Sequence, residues 1–276
     1  MLKNNSNTKK APIQKFAVSI AKVLFATSFW VGVWVLISFK INNSFLFPSP
    51  LSVLSALSSL VAQPDFWKIS IASLCRVLAG TVTSIVIGII LAILTSYSKI
   101  INILASPLLS IIKATPVASF IILACVWLDR NILPVVITSL IVIPIVWSNI
   151  SEGFSSVDGN LLEVAKIYRF SIWKRIGKLY VPSLLPYFFA ACKSSLGMAW
   201  KAGIAAEILA VPQNAIGTEL YYTKTYLDTP AMFAWTLVII VLSIIFEKLF
   251  VIGIEQLGKR LHAFRQKGGV ENVEGN

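Results

Sequence analysis

The chain has 276 residues, of which 57% are hydrophobic and only 13% are charged. Soluble domains carry about 25% charged residues, so this composition excludes an ordinary soluble globular protein and indicates a lipid bilayer as the main solvent. The formal net charge of +12 would suggest nucleic-acid binding in a soluble protein, but here the positions of the basic residues decide its meaning.

Six apolar runs are long enough to cross about 30 Å of hydrocarbon as α-helices. They are 16–39, 77–97, 101–128, 132–150, 185–209 and 232–254. The runs are continuous rather than alternating, and backbone groups in lipid must pair within their own segment, which favours helices over strands. The third run is too long for one straight crossing, so we expect Pro107 or Pro116 to separate an interfacial segment from the span. The predicted fold class is all-α, a polytopic membrane protein.

The basic residues are distributed unevenly between the connections. One set of segments holds Lys3, Lys9, Lys10, Lys15, Lys22, Lys99, Lys166, Arg169, Lys174, Arg175, Lys178, Lys259, Arg260, Arg265 and Lys267, and the opposite set holds Lys40, Lys68, Arg130 and Lys224. Cytoplasmic connections are the basic ones, so both termini and the loop 155–182 between spans four and five are predicted to be cytoplasmic. Topology therefore explains most of the net charge, and we expect no nucleic-acid partner.

We expect one membrane domain, 16–258, between two polar cytoplasmic tails, 1–15 and 259–276. The first apolar run is too long for a signal peptide and lacks a small-residue cleavage site, so it is predicted to remain as a span. Leucines at helical spacing after Pro48 and Pro50 predict an amphipathic helix on the outer face of the bilayer. No internal repeat is visible, which weighs against a transporter built of two inverted halves.

The sequence offers few groups for chemistry. Cys75, Cys125 and Cys192 form no CxxC pair and are expected to be packing residues, and His262 lies in a tail. No GxxxxGK[ST] phosphate loop is present, and Gly80 and Gly88 lie in an apolar span where helix packing is the natural role. We therefore expect no catalytic residue, metal site or cofactor in this chain, which disfavours a membrane-embedded enzyme.

The stretch "LLEVAKIYRFSIWKRIGKLYVP", residues 161–182, is amphipathic and basic. Its apolar positions are Leu161, Val164, Ala165 and Tyr168, then Ile172, Trp173, Ile176, Leu179 and Tyr180. This spacing predicts two short helices that meet near Phe170, with Ser171 as the second N-cap and Pro182 as the end. An interfacial pair that contacts anionic lipid and a docking element for a cytoplasmic partner are both compatible with the pattern.

This stretch resembles the cytoplasmic EAA loop of bacterial ABC-importer permeases. The pattern of that loop is Glu-Ala-Ala, three residues, Gly, nine residues and Ile-x-Leu-Pro. Glu163 and Ala165 match it, Val164 replaces the middle alanine, and Leu179, Val181 and Pro182 fit its end conservatively. Arg169 occupies the glycine position, a departure that bears on how the turn packs because glycine permits conformations that arginine resists.

Four further stretches are similar, in order, to nitrate/sulfonate/taurine-type permeases, so the resemblance covers about residues 45–255. They are "FPSPLSVLSAL", "SLCRVLAGTVTSIVIGIILAI", "ATPVASFIILACVWL" and "SLGMAWKAGIAAEIL". The resemblance implies a permease in the bacterial plasma membrane that imports a small, nitrate-, sulfonate- or taurine-like solute. Its implied partners are a cytoplasmic ATP-binding subunit that holds ATP and Mg²⁺, a second permease copy and an extracytoplasmic solute-binding protein.

The resemblance also implies roles for residues of the loop, which would seat in a cleft of the ATPase. Glu163 would be the polar anchor, Val164, Ala165 and Tyr168 the apolar contact, and Pro182 the junction with span five. Because one chain has six spans and no internal duplicate, a homodimer is expected.

Charges within the spans are costly and mark candidate functional sites. Lys193 and Lys201 in span five are candidates for the translocation pathway, although both positions also allow snorkelling or packing. Glu207, just past span five, is expected to cap or pair at the outer mouth. The alternative function, an ATPase-independent secondary transporter or channel, is disfavoured because Glu247 is nearly the only acid within the spans.

Overall fold

The structure is a computed structural model that describes residues 10–270, and all the regular secondary structure in this range is helical. The helices are α1 (Lys10–Ile41), α2 (Pro50–Val61), α3 (Pro64–Tyr97), α4 (Lys99–Ala114), α5 (Val117–Ala124), α6 (Leu133–Ser155), α7 (Gly159–Ile167), α8 (Ile172–Arg175), α9 (Val181–Ala210), α10 (Ile216–Thr225) and α11 (Thr229–Val270), with a π-helical turn at Ile176–Tyr180. The outer parts of the two expected tails, 1–9 and 271–276, lie outside the described residues, while 10–15 begin α1 and 259–270 end α11.

Among the described residues, four helices contain stretches long and apolar enough to cross a membrane. These are Leu24–Ile41, Pro64–Tyr97, Leu133–Ser155 and Thr229–Ile254, and α4 with α5 makes a fifth if the bent pair is one span. The helix α9 is long enough, with 30 residues or about 45 Å, but Lys193, Lys201 and Glu207 interrupt its apolar sequence. The chain is thus a multi-pass membrane protein, and the count of six spans stays a prediction.

Of the described residues, 10–63 and 223–236 form one compact unit. Its centre is Trp34, whose indole nitrogen donates to the carbonyl of Pro48 at 3.0 Å and whose ring lies 5.9 Å from that of Phe233. The amphipathic α2 begins at Ser49, whose hydroxyl accepts from the amide of Ser52. The side chains of Leu51 and Leu54 on α2 are 79% and 61% exposed, and the position of α2 on the outer face of the bilayer stays a prediction.

The described residues 64–222 and 237–270 form the second unit, in which α3, α6 and α9 pack against one another. Glycines permit the approach of α3 to α6, because a Cβ on Gly80 would lie 2.8 Å from Cβ of Thr138 and one on Gly88 only 2.7 Å from Cβ of Val146. The expectation that these glycines serve helix packing is confirmed. Cys192 is buried as expected, whereas Cys75 and Cys125 are exposed.

The long third run breaks at Pro116 and not at Pro107, which lies inside α4. Thr115 leaves the helix with an extended ψ of 134°, the conformation that a following proline favours because its ring crowds a helical neighbour. The hydroxyl of Thr115 donates back to the carbonyl of Ile111 at 2.8 Å. As a result, α4 and α5 are bent by 102° relative to each other.

Candidate functional site: the loop between α6 and α9 and the charged residues of α9

The predicted pair of short helices is present as α7 and α8. Asp158 caps α7, since its carboxylate accepts from the amide of Asn160 at 2.9 Å. Ser171 caps α8, where its hydroxyl accepts from the amide of Lys174 at 3.4 Å. Short side chains with an oxygen are the preferred N-caps because they satisfy amides that have no partner within the helix.

The turn between the two helices is a Schellman motif. The amide of Phe170 donates to the carbonyl of Ala165 at 2.9 Å, and that of Arg169 donates to the carbonyl of Lys166 at 3.1 Å. This pattern requires a left-handed residue just past the helix end, a position that usually holds glycine. Here Arg169 occupies it with φ of 49°, so the turn keeps its geometry although arginine replaces the glycine of the motif.

The chain runs from α8 into α9 without a break. The π-helical turn 176–180 follows α8 directly, and α9 begins at Val181. The expectation that Pro182 ends a helix is therefore wrong, because Pro182 lies in the first turn of α9. Proline is tolerated there since the first amides of a helix have no partner within it.

The loop exposes large apolar side chains. Of the three residues predicted to make the apolar contact, Ala165 is buried, with 1% of its surface exposed. Val164 and Tyr168 are 44% and 73% exposed, and the side chain of Glu163 is exposed as well. The sequence analysis missed Ile167, which is 76% exposed and lies off the predicted apolar stripe. Its only signal was an isoleucine beside Tyr168 in the last turn of a short helix.

Lys193 and Lys201 lie on the exposed side of α9, away from the loop 155–182. They are eight residues apart and therefore separated by roughly 80° around the helix. Met198 between them is 46% exposed, whereas Cys192 and Ala199 on the other side are buried. The structure thus brings the two lysines onto one side of a helix whose opposite side is packed.

Glu207 is fully buried in the last turn of α9 and pairs with a residue that the sequence analysis passed over. Its carboxylate accepts from Nη1 of Arg76 at 3.1 Å, from the hydroxyl of Ser73 at 2.8 Å and from the amide of Gly217 at 3.2 Å. Arg76 also donates to the carbonyl of Asn214 at 3.1 Å. The sequence signal for this pair was a single arginine, Arg76, next to the apolar run of α3, since a charge in such a position needs a buried partner.

This network fixes the segment between α9 and α10 to α3. The hydroxyl of Ser73 also accepts from the amide of Ile216 at 2.9 Å, so the first amides of α10 are held by α3 and α9 together. In α10, burial first and Asp65 second raise the pKa of Glu219 above the usual range of a glutamate. The arrangement is structural, because its charged groups bind one another.

Lys113, in the last turn of α4, is a third exposed lysine near the apolar spans. Its ammonium group lies 5.8 Å from the ring centroid of Trp147 on α6, within the range of a cation–π contact. Its sequence signal was a lysine inside the third apolar run, just before the break at Pro116. Among the described residues, no group of three His, Cys, Asp or Glu side chains could hold a metal ion.

Known proteins share long stretches with this chain. A bicarbonate transport system permease protein of Synechococcus elongatus is 33% identical over 164 residues, which are 58% of this chain and 57% of the relative. A probable ABC transporter permease protein of Brucella melitensis is 26% identical over 227 residues, which are 80% and 90% of the two chains. A Bacillus subtilis permease named for the transport of aliphatic sulfonates is 22% identical over 215 residues, which are 77% and 78%.

The chain thus spans somewhat over half of the length of the bicarbonate relative. These similarities confirm the resemblance to ABC-importer permeases of the nitrate, sulfonate and taurine type. The sequence model for "Binding-protein-dependent transport system inner membrane component" matches residues 84–256. Because that stretch is more than half of the chain, the protein belongs to this family of inner-membrane transport components.

Proposed function

We propose that this chain is the permease subunit of an ABC importer, which forms the solute pathway and is driven by a separate ATPase subunit through the loop 155–182. The supporting observation is the Schellman turn of that loop, where Arg169 takes a left-handed conformation at the glycine position of the EAA motif. The turn fixes the angle between α7 and α8. A rigid helix pair of this kind suits a docking element that passes motion to the spans.

In this proposal the loop docks through its exposed side. Glu163 is the polar anchor, and Val164 and Tyr168, joined by Ile167, provide the apolar contact. Ala165 is buried and so contributes from within, by holding the orientation of α7. Arg169 shapes the turn and Pro182 lies in the first turn of α9, so rigid-body motion of the loop would move α9 with it. ATP and Mg²⁺ bind the partner, and the coupling residues have no catalytic role.

The proposed assembly has two copies of this chain, two ATPase subunits and an extracytoplasmic solute-binding protein. The six spans are α1, α3, the α4–α5 pair, α6, α9 and α11, with both termini and the loop in the cytoplasm of a bacterium. The bias of lysine and arginine toward these segments supports that orientation. A second copy would cover the side of α9 that bears Lys193 and Lys201.

We infer that the solute is a small anion. Lys193 and Lys201 are exposed on a helix with an apolar sequence, and charges at such depth normally face a water-filled path or a partner. The relatives named for bicarbonate and for aliphatic sulfonates transport negatively charged solutes by their names, which agrees with a basic pathway.

The proposed function is tested by replacing Glu163 with lysine. Charge reversal at a docking anchor should lower copurification with the ATPase subunit by about tenfold or more, as for a hot-spot residue, and abolish uptake while the permease stays inserted. Copurification is measured from detergent-solubilised membranes, and uptake is measured with the solute of the cognate binding protein. The matched control is Asp129→Lys, an equal charge change at an exposed residue of the connection between α5 and α6.

Unchanged copurification and uptake in the Glu163→Lys variant would contradict the assigned role of the loop. Deleting the ATPase subunit separates the main proposal from its alternative. Uptake that stops on this deletion supports an ABC importer, whereas uptake that persists with an ion gradient alone would indicate a secondary transporter or channel.

A further inference from the structure

Two cavities lie between α4 and α6, one at each end of α4. The Lys99 cavity, of about 310 Å³, is lined at the start of α4 by Lys99 and Asn102 and on α6 by Ser151 and Ser155. The Lys113 cavity, of about 140 Å³, is lined at the other end by Lys113 and Thr115, by Pro144 of α6 and by Met198 of α9. The two lysines are 14 positions apart, so their backbone positions are about 21 Å apart along the helix.

Each cavity offers a cation without a carboxylate beside it, although the Lys113 cavity is otherwise lined mostly by apolar side chains. Each is lined by one lysine, and none of the described residues that line them is an aspartate or glutamate. The Lys99 cavity adds an amide and several hydroxyls, and the hydroxyl of Ser151 is buried without a hydrogen-bond partner in the described structure. A buried hydroxyl without a partner is costly, and a bound anion or its water would satisfy it.

Trp147 contacts one lining residue of each cavity. It follows Pro144 by three residues and precedes Ser151 by four, so the three side chains share one side of α6. Its indole nitrogen donates to the hydroxyl of Thr95, which lines the Lys99 cavity, at 2.9 Å. The other contact of the ring is Lys113, at 5.8 Å. Trp147 is thus held between one residue of each cavity.

The middle of α4, between the two lysines, is also apolar. Leu109 lies between Lys99 and Lys113 in the sequence of α4 and is only 3% exposed. A buried, apolar part of α4 therefore lies between the positions of the two lysines. Apolar constrictions between polar sites are a common way to block an ion until a side chain moves.

We propose that the two cavities are successive binding sites for a small anion and that Trp147 is the gate between them. The proposal rests on the proposed transport function and extends its pathway beyond Lys193 and Lys201. In the closed state, the hydrogen bond to Thr95 and the contact with Lys113 hold the indole across the path. Rotation of the side chain would release Lys113 to accompany the anion toward the Lys99 cavity.

The experiment uses the intact importer, with its ATPase subunit, in proteoliposomes that contain the halide-sensitive dye lucigenin. Without ATP, bromide entry should be slow in the wild type and at least about tenfold faster in Trp147→Ala, since the apolar barrier is lost. Adding Lys113→Gln to that variant should reduce the leak at least about threefold, because the cation that attracts bromide is lost. Potassium entry, followed with a potassium-sensitive dye, should stay at the wild-type rate.

Trp127→Ala is the matched control, because this tryptophan is 74% exposed and lines neither cavity. It should leave bromide entry at the wild-type rate. Thr95→Val removes the hydroxyl that accepts from Trp147 and keeps the side-chain shape, so it should give a smaller leak with the same preference for bromide. This variant gives the answer if Trp147→Ala is not recovered as a folded protein.

The gate is refuted if neither Trp147→Ala nor Thr95→Val leaks more bromide than the wild type, or if potassium enters as fast as bromide. These failures differ from a failure of the proposed function. A preparation that keeps its ATPase subunit and hydrolyses ATP but shows no leak refutes the gate alone. A wild-type preparation that does not retain the ATPase refutes the proposed function, whatever the leak.

Discussion

The left-handed conformation of Arg169 costs a non-glycine residue roughly 1–2 kcal/mol, since Cβ approaches the following carbonyl oxygen. The two hydrogen bonds of the Schellman motif offset this cost by satisfying carbonyls at the end of α7. Arginine therefore keeps the turn at the expense of local stability.

Replacing Arg169 with glycine should stabilise the turn by somewhat less than the cost of the left-handed conformation, about 0.5–1 kcal/mol, because glycine gains more freedom in the unfolded chain. The backbone amides of residues 169 and 170 should then exchange more slowly with deuterium. The matched variant Arg169→Ala keeps the strained conformation and should show no such slowing. Equal exchange in the glycine and alanine variants would contradict the role assigned to this backbone angle.

The pair of Arg76 and Glu207 leads to a second expectation at single residues. The side chain of Glu207 is 0% exposed and that of Arg76 is 17% exposed, so removing the arginine leaves a buried carboxylate without its counter-charge. Breaking a buried pair in this way costs about 3–5 kcal/mol. Glu207→Gln should cost less, because its carbonyl oxygen can still accept from Ser73 and Gly217.

We expect Arg76→Ala to lower the thermal unfolding midpoint of the detergent-purified permease further than Glu207→Gln does. Arg130→Ala, a change at an exposed arginine, is the control and should leave the midpoint within experimental error. An Arg76→Ala variant as stable as the wild type would show that the carboxylate does not need its partner.

At the scale of helices, the periodicity of apolar residues was sufficient to predict the elements that face solvent or lipid. The stripes of residues 161–180 predicted α7, α8 and the cap at Ser171, because amphipathic spacing and short polar side chains act locally. The inward position of Ala165 depends on what the rest of the chain packs against α7, and no local pattern records that. The left-handed backbone conformation of Arg169 likewise had no local signal, since only glycine indicates such a turn in a sequence.

The break between α4 and α5 could be predicted from the sequence, but its position could not. Both Pro107 and Pro116 remove an amide donor and crowd the preceding residue, so local rules do not distinguish them. In the structure Thr115 is extended, whereas the residues around Pro107 remain helical. If the proline causes the break, Pro116→Ala should let α4 and α5 straighten toward one helix.

Spin labels at Leu104→Cys on α4 and Ile122→Cys on α5 measure this change, in a background where the three native cysteines are replaced. A bend of 102° places the two backbone positions roughly 18 Å apart, and a straight helix about 27 Å, from a rise of 1.5 Å per residue. The distance should therefore increase in Pro116→Ala. Pro107→Ala is the matched control and should leave it unchanged, and an unchanged distance in both variants would show that tertiary packing imposes the bend.

For the whole molecule, composition alone predicted the all-helical membrane class, because every long apolar run indicates that lipid surrounds the chain. Large side chains such as Phe25, Leu36 and Phe39 on α1 remain 70–83% exposed, which lipid permits and water would penalise. The division into two units, with α11 contributing to both, follows from packing between distant segments. Single-sequence patterns do not contain that information.

The orientation of the whole chain follows from the bias of its basic residues and makes a direct prediction. With the native cysteines replaced, Lys178→Cys in the π-helical turn should react in intact cells only with a membrane-permeant maleimide, because the loop 155–182 is predicted to face the cytoplasm. Lys224→Cys in α10 should react with the impermeant reagent as well, since it is predicted to lie on the opposite side of the bilayer. Inverted vesicles should reverse the two patterns. Labelling of Lys178→Cys from outside intact cells would place the loop where no ATPase can reach it, and the importer assignment would then fail.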